Sequence, residues 1–204
     1  LSQRIHYLQG EGDAYKRVGS IRRILGNNDL SLKAFQSSLA IKESEDDMPG
    51  QASVLGNIGH VYLELGEKMI ARSYFRRALQ FDLPKDHLPK TVQQYNGIGM
   101  SYEIEGGEDS SIYYFRIAAS LASQITDPDD RRMWQASIWN NVASPFKTLG
   151  ILDSASFYWQ RSREAFVELG NDSDVADVLN NLGLIVMERG DAQLALDSFF
   201  YPAF

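Results

Sequence analysis

A period of about forty residues limits what this chain can fold into more than any other feature. Glycine recurs at Gly26, Gly66, Gly106, Gly150 and Gly190, at spacings of 40, 40, 44 and 40. Seven residues before each stands an anchor: Gly19, Gly59, Gly99, Ala143 and Gly183. A branched aliphatic precedes every anchor: Val18, Ile58, Ile98, Val142 and Leu182. Twelve residues after the anchor comes a small residue (Ser31, Ala71, Ser111, Ala155, Ala195), and sixteen after it an aromatic (Phe35, Phe75, Phe115, Trp159, Phe199). A chain built this way stacks copies of one small unit, because a single unit cannot bury its own apolar face.

Each unit reads as two helices. The first carries the anchor and stops near the recurrent glycine, which supplies the left-handed conformation that ends helices. The second carries the small residue and the aromatic, four apart and therefore on one face. Segments such as "ESEDDMPGQ" (43–51), "LPKDHLPK" (83–90) and "TDPDD" (126–130) separate the units with turn and N-cap residues. The expected fold is all-α, an α-solenoid of about ten helices in five pairs.

These columns resemble the tetratricopeptide repeat. The best unit runs Leu55, Ile58, Gly59, Tyr62, Gly66, Ala71, Phe75, Ala78, and the resemblance covers nearly the whole chain. The usual repeat has about 34 residues. The longer period here is similar to the repeats of kinesin light chain, of LGN-type adaptors and of Rap-type peptide-pheromone receptors. Arg22, Ser162 and Pro202 depart from the pattern. The resemblance implies one right-handed superhelical solenoid domain over 1–204, with repeats near 11–44, 51–84, 90–125, 128–168 and 173–204.

Asparagine, a poor helix former, recurs beside the anchors in "LGNIG", "YNGIG", "WNNVA" and "VLNNLG". At about 100° per residue, the anchor and the positions four before, one before and three after it form the core stripe. The positions six before, two before, one after and five after lie opposite. First helices line the concave groove of a tetratricopeptide superhelix, so the resemblance implies that Asn57, Asn141 and Asn181 point into it. Asn96, Asn140 and Asn180 then sit on its flank. A column of amides can hold the backbone of an extended peptide whatever its side chains; the competing reading is that the amides brace adjacent repeats. Lys16, Arg17, His60, Met100, Ser144 and Leu184 complete the candidate lining, basic in the first unit and mixed thereafter. The clamp by which chaperone-binding domains of this family hold a carboxylate tail is half absent. Lys16 and Asn57 match it, whereas Ser20, Gln93 and Gly97 do not.

The expected function is thus a non-catalytic scaffold binding a protein or peptide, a sensor or adaptor part of a signalling protein. The repeats leave no room for a catalytic domain, and His6, His60 and His87 are scattered, without the spacing a metal site needs. We assign no catalytic residue, metal or cofactor. A net charge of −7 argues against nucleic acid, and no run reaches 18 apolar residues, which argues against membrane insertion. The absence of cysteine excludes disulfides but does not fix the compartment; the cytoplasm is the favoured expectation and the periplasm the alternative. Two local features stand apart. Pro145 falls inside a helix beside Trp134 and Trp139, where it deletes a hydrogen bond and bends the axis. "SFFYPAF" (198–204) closes the sequence on aromatics with no polar cap. Either the native chain continues, as its start also suggests, or another subunit covers this end. The second case gives the alternative function, a self-association module that forms a homodimer through its C-terminal end.

Overall fold

The structure is a computed structural model; it describes residues 2–81 and 87–190, with 2–9 as backbone alone. The described residues form nine α-helices: α1 (Ser2–Ile24), α2 (Asn28–Ser44), α3 (Met48–Glu64), α4 (Lys68–Ala78), α5 (Leu88–Glu103), α6 (Glu108–Ala122), α7 (Pro128–Thr148), α8 (Leu152–Glu168) and α9 (Asp172–Glu188). They fall into two compact units, Leu1–Gly106 and Gly107–Phe204. In the first unit α1 pairs with α2 and α3 with α4, while α5 packs on α3 and α4. In the second, α7 pairs with α8, α6 packs on α7 and α9 on α8. This stacking of helix pairs is the arrangement of an α-solenoid. Any second helix of the fifth repeat, with Ala195 and Phe199, lies outside the described residues.

The recurrent glycines end the first helices as expected. Gly26, Gly66, Gly106, Gly150 and Gly190 all have φ between 71° and 92°, a region costly to residues with a Cβ. At Gly66 the amide of Glu67 donates to the Tyr62 carbonyl at 2.8 Å and that of Gly66 to Leu63 at 3.0 Å. This paired pattern satisfies two carbonyls that the helix end leaves orphaned. The α2–α3 turn uses Asp46 (φ 54°) and the α8–α9 turn uses Gly170 (φ 65°) for the same purpose, two sites the forty-residue period does not mark.

The aromatic and small columns form the core. Phe35, Phe75, Phe115 and Trp159 are buried, as are Ser31, Ala71, Ser111 and Ala155. Phe75 is wedged between two glycines: a methyl built on Gly59 or on Gly97 would overlap its ring. Tyr62 stacks on Tyr74 at 5.4 Å between ring centroids, and Phe146 on Tyr158 at 5.6 Å, one contact in the same two columns of different repeats. Ser162, which departs from the family's small residue, explains itself. Its buried hydroxyl donates to the Ala136 carbonyl at 2.9 Å, and Ser38 in the same column donates to Gly12 at 2.7 Å.

Two expectations need correction, and a third holds. Val18 stands in the aliphatic column, yet it is exposed, whereas Ile58, Ile98, Val142 and Leu182 are buried. No described helix packs on that side of α1, as α2 packs on α3. Pro145 lies inside a helix as expected: α7 runs from Pro128 to Thr148 with Pro145 buried within it. Gly97, two residues before its anchor, faces the Phe75 ring and not the side opposite the core.

Candidate functional site

Burial along α3 shows which face remains accessible. From Ala52 to Glu64 only Ser53, Asn57, His60, Tyr62 and Glu64 are not buried. Tyr62 is committed to its stack with Tyr74. The other four recur at helical spacing and form one stripe. The same register on α9 leaves Asp177, Asn181, Leu184 and Glu188 wholly or partly accessible, and on α7 it leaves Ser137, Asn141, Ser144 and Thr148.

Two ion pairs place these stripes side by side within each unit. Arg23 on α1 pairs with Glu64 on α3. Lys147 on α7 pairs with Glu188 at 3.0 Å. Each joins the fourth residue after one anchor to the fifth after the next. Neighbouring first helices therefore share one accessible face in each unit, and its charges are largely internally matched. Lys16 pairs with Asp13 at 3.4 Å. Arg17 is exposed and has no partner among the described residues, so the basic character expected of the first unit reduces to this one free guanidinium.

The six asparagines divide. Asn96 is buried, and its amide nitrogen lies 3.8 Å from the Met100 sulfur. Asn140 accepts a hydrogen bond of 3.0 Å from the indole N–H of Trp159. Where the aromatic column changes from Phe to Trp, the added N–H needs a buried acceptor, and the amide across the pair supplies it. Asn141 is half-buried. Asn57 and Asn181 are half-buried and Asn180 exposed, and none of these three amides meets a partner among the described residues. Met100 and Ser144 are half-buried and Leu184 is exposed, all in the register of His60.

His60 sits edge-on to Phe75, with ring centroids 5.1 Å apart. Burial, and secondarily the Arg23 charge, lower its pKa to about 4. At neutral pH the imidazole is uncharged, offering one donor and one acceptor at the floor of the stripe.

Other buried polar groups escaped the sequence reading. Lys42 is buried in α2, and its ammonium lies 3.1 Å from Asp47 and 3.4 Å from Asp13. Desolvation opposes that charge, but hydrogen bonding and attraction from Asp47 and Asp13 prevail and raise its pKa. Its column holds Ala122 and Phe166, both buried, but also the charged Asp82, so the sequence pattern did not mark Lys42 as buried. Gln94 stands in the column of Val54, Ile138 and Val178. It is buried against Gly56, and neither of its amide atoms has a hydrogen-bond partner among the described residues.

Residues 11–83 match the family model of the tetratricopeptide repeat. Residues 11–83 carry tetratricopeptide repeats. Among solved structures, a Rap protein complexed with Competence and Sporulation Factor is 20% identical, with 92% of this chain and 52% of that one covered at a TM-score of 0.77. The apo form of RapI is 16% identical, with coverage of 91% and 66% and a TM-score of 0.73. BtubC (BKLC) from P. vanneervenii is 16% identical, with coverage of 92% and 86% and a TM-score of 0.62. At such identities the likeness is one of fold. The chain spans about half to two thirds of the two Rap structures. Among curated proteins none matches it by sequence. Set against the chaperone-tail clamp of other tetratricopeptide domains, this inner face is poor in free charge. Lys16 is neutralised by Asp13, and Gly97 offers only backbone against Phe75.

Proposed function

We propose that this tetratricopeptide chain is a non-catalytic scaffold whose inner faces hold an extended peptide or partner segment by its backbone. One observation carries the reading: the half-buried Asn57 amide has no partner among the described residues and lies on the accessible stripe of α3. Half-buried amides lose part of their hydration without a compensating bond, so a ligand that supplies one gains from it. Neutral His60 beside Asn57, and Asn181 with Leu184 on α9, extend the same chemistry. Asn141, Ser144, Met100 and Arg17 supply contacts to side chains. Asn96 and Asn140 serve the fold, and we assign them no direct part in binding. The Rap protein of like fold that is complexed with Competence and Sporulation Factor supports a binding role for this architecture.

Selection of a phage-displayed random heptapeptide library on the chain tests the reading, with fluorescence anisotropy of the enriched peptide. Asn57→Ala and Asn181→Ala should each weaken binding about tenfold, the equivalent of about 1.4 kcal/mol, at unchanged helicity. Failure to enrich any sequence, or full affinity in both variants, would overturn it.

A further inference from the structure

Where one repeat meets the end of the next first helix, the chain bridges two of its junctions with charge. Between the second and third repeats Arg72 donates to Glu105 at 2.5 Å, and the Lys68 ammonium donates to the Ile104 carbonyl at 3.2 Å. Between the fourth and fifth, Arg189 donates to Asp153 at 2.5 Å. Between the first and second, the corresponding positions instead line a pocket of about 440 Å³, formed by Gly26, Asn27, Asn28, Asp29, Leu30 and Leu65. Asp29 stands ten after its anchor, in the column of Asp153, and Leu65 six after its anchor, in the column of Arg189. The acid of the bridge is kept and a leucine replaces its cation. Arg23 is engaged by Glu64, and no described cation pairs with Asp29.

The walls select for one kind of side chain. Leu30 and Leu65 are each nearly half exposed, and the aliphatic stem of a long cationic residue covers such surface while its head stays among polar groups. An exposed ion pair alone contributes little, so these two leucines are what the site adds to the Asp29 charge. Asn28 Oδ1 has no hydrogen-bond partner among the described residues, so this amide can turn to the pocket without giving up a bond. Carboxylate and amide together suit guanidinium, which is weakly hydrated and carries several donors in a fixed fork. The third junction holds Asp109 and Leu149 in the same columns, but Ser110 replaces Leu30 and Glu108 replaces Asn28. It lacks the second apolar wall.

We propose that this pocket receives an arginine side chain of a partner protein, in the place that Arg189 fills for Asp153. It lies between two described repeats and shares no residue with the stripe of Asn57.

Amide NMR of the chain titrated with N-acetyl-arginine methylamide tests this, with the norleucine analogue as the uncharged control. The arginine probe should give saturable shifts centred on residues 26–30 and 65, with the millimolar affinity of a single side chain. Asp29→Asn should weaken it about threefold, the size of one exposed ion pair. Leu65→Arg, which supplies the chain's own bridge at an exposed position, should abolish the response at unchanged helicity. No saturable shift below about 50 mM, an equal response to norleucine, or a wild-type response in Leu65→Arg would each overturn the assignment.

Discussion

Single residues decide how much of the inner face can respond to its surroundings. His60 has a pKa near 4 when folded, against 6.5 for a free imidazole. Between those values the unfolded chain takes up a proton that the folded chain refuses. The stability present above about pH 6.5 is therefore lost as the pH falls towards 4, by about 1–3 kcal/mol for a shift of this size. Urea midpoints measured from pH 7 to 4.5 should fall for the wild type, and His60→Gln should flatten that slope. Gln94 points the other way. Its buried amide leaves a donor and an acceptor unmet, at a cost of about 1–3 kcal/mol. Gln94→Leu should raise stability by about 1 kcal/mol, read from chemical denaturation; a loss of stability would mean that the amide has a native role. Both residues show where sequence reading stops. Their columns were plain, but a periodic column records only that a residue faces inward, not whether a polar one finds a partner there.

At the scale of helices, the contact that matters most is the wedge of α4 between α3 and α5. Phe75 fills a slot that exists because Gly59 and Gly97 carry no Cβ. Phe75→Ala should cost about 3–5 kcal/mol by leaving a cavity. Gly97→Ala should cost about 1–3 kcal/mol through the opposite fault, overpacking. Thermal denaturation of both variants checks the pair, and a neutral Gly97→Ala would show that the ring can retreat. The spacing of Gly59 to Phe75 was legible as a repeat column. Gly97 as the second wall was not, since it belongs to the next repeat and meets Phe75 only once helices stack. Asn140 shows the same limit: its bond to Trp159 crosses from α7 to α8, and nothing in the amide's own register announces it.

Across the molecule, position along the stack overrides identity. Val18 and Ile58 occupy one column and are both β-branched aliphatics, yet one is open and the other enclosed by α2. Ile58→Ala should cost about 2–4 kcal/mol. Val18→Ala should stay within about 0.5 kcal/mol of wild type. A sum of column-by-column energies will therefore misjudge any repeat with an uncovered side, as expected of a quasi-one-dimensional fold in which each repeat contacts only its neighbours.

The sequence by itself determined the helix pairs, their forty-residue period and the glycines that end each first helix. All of these follow from short-range geometry: the pitch of a helix, the left-handed region open to glycine, and the alignment of residues three and four apart. Only the tertiary structure decided which amides are spent on the fold and which stay unpartnered, which charges cancel across neighbouring helices, and which apolar face is left open. Those outcomes depend on what stands across a packed interface, and a partner some twenty to forty residues away leaves no mark on local periodicity.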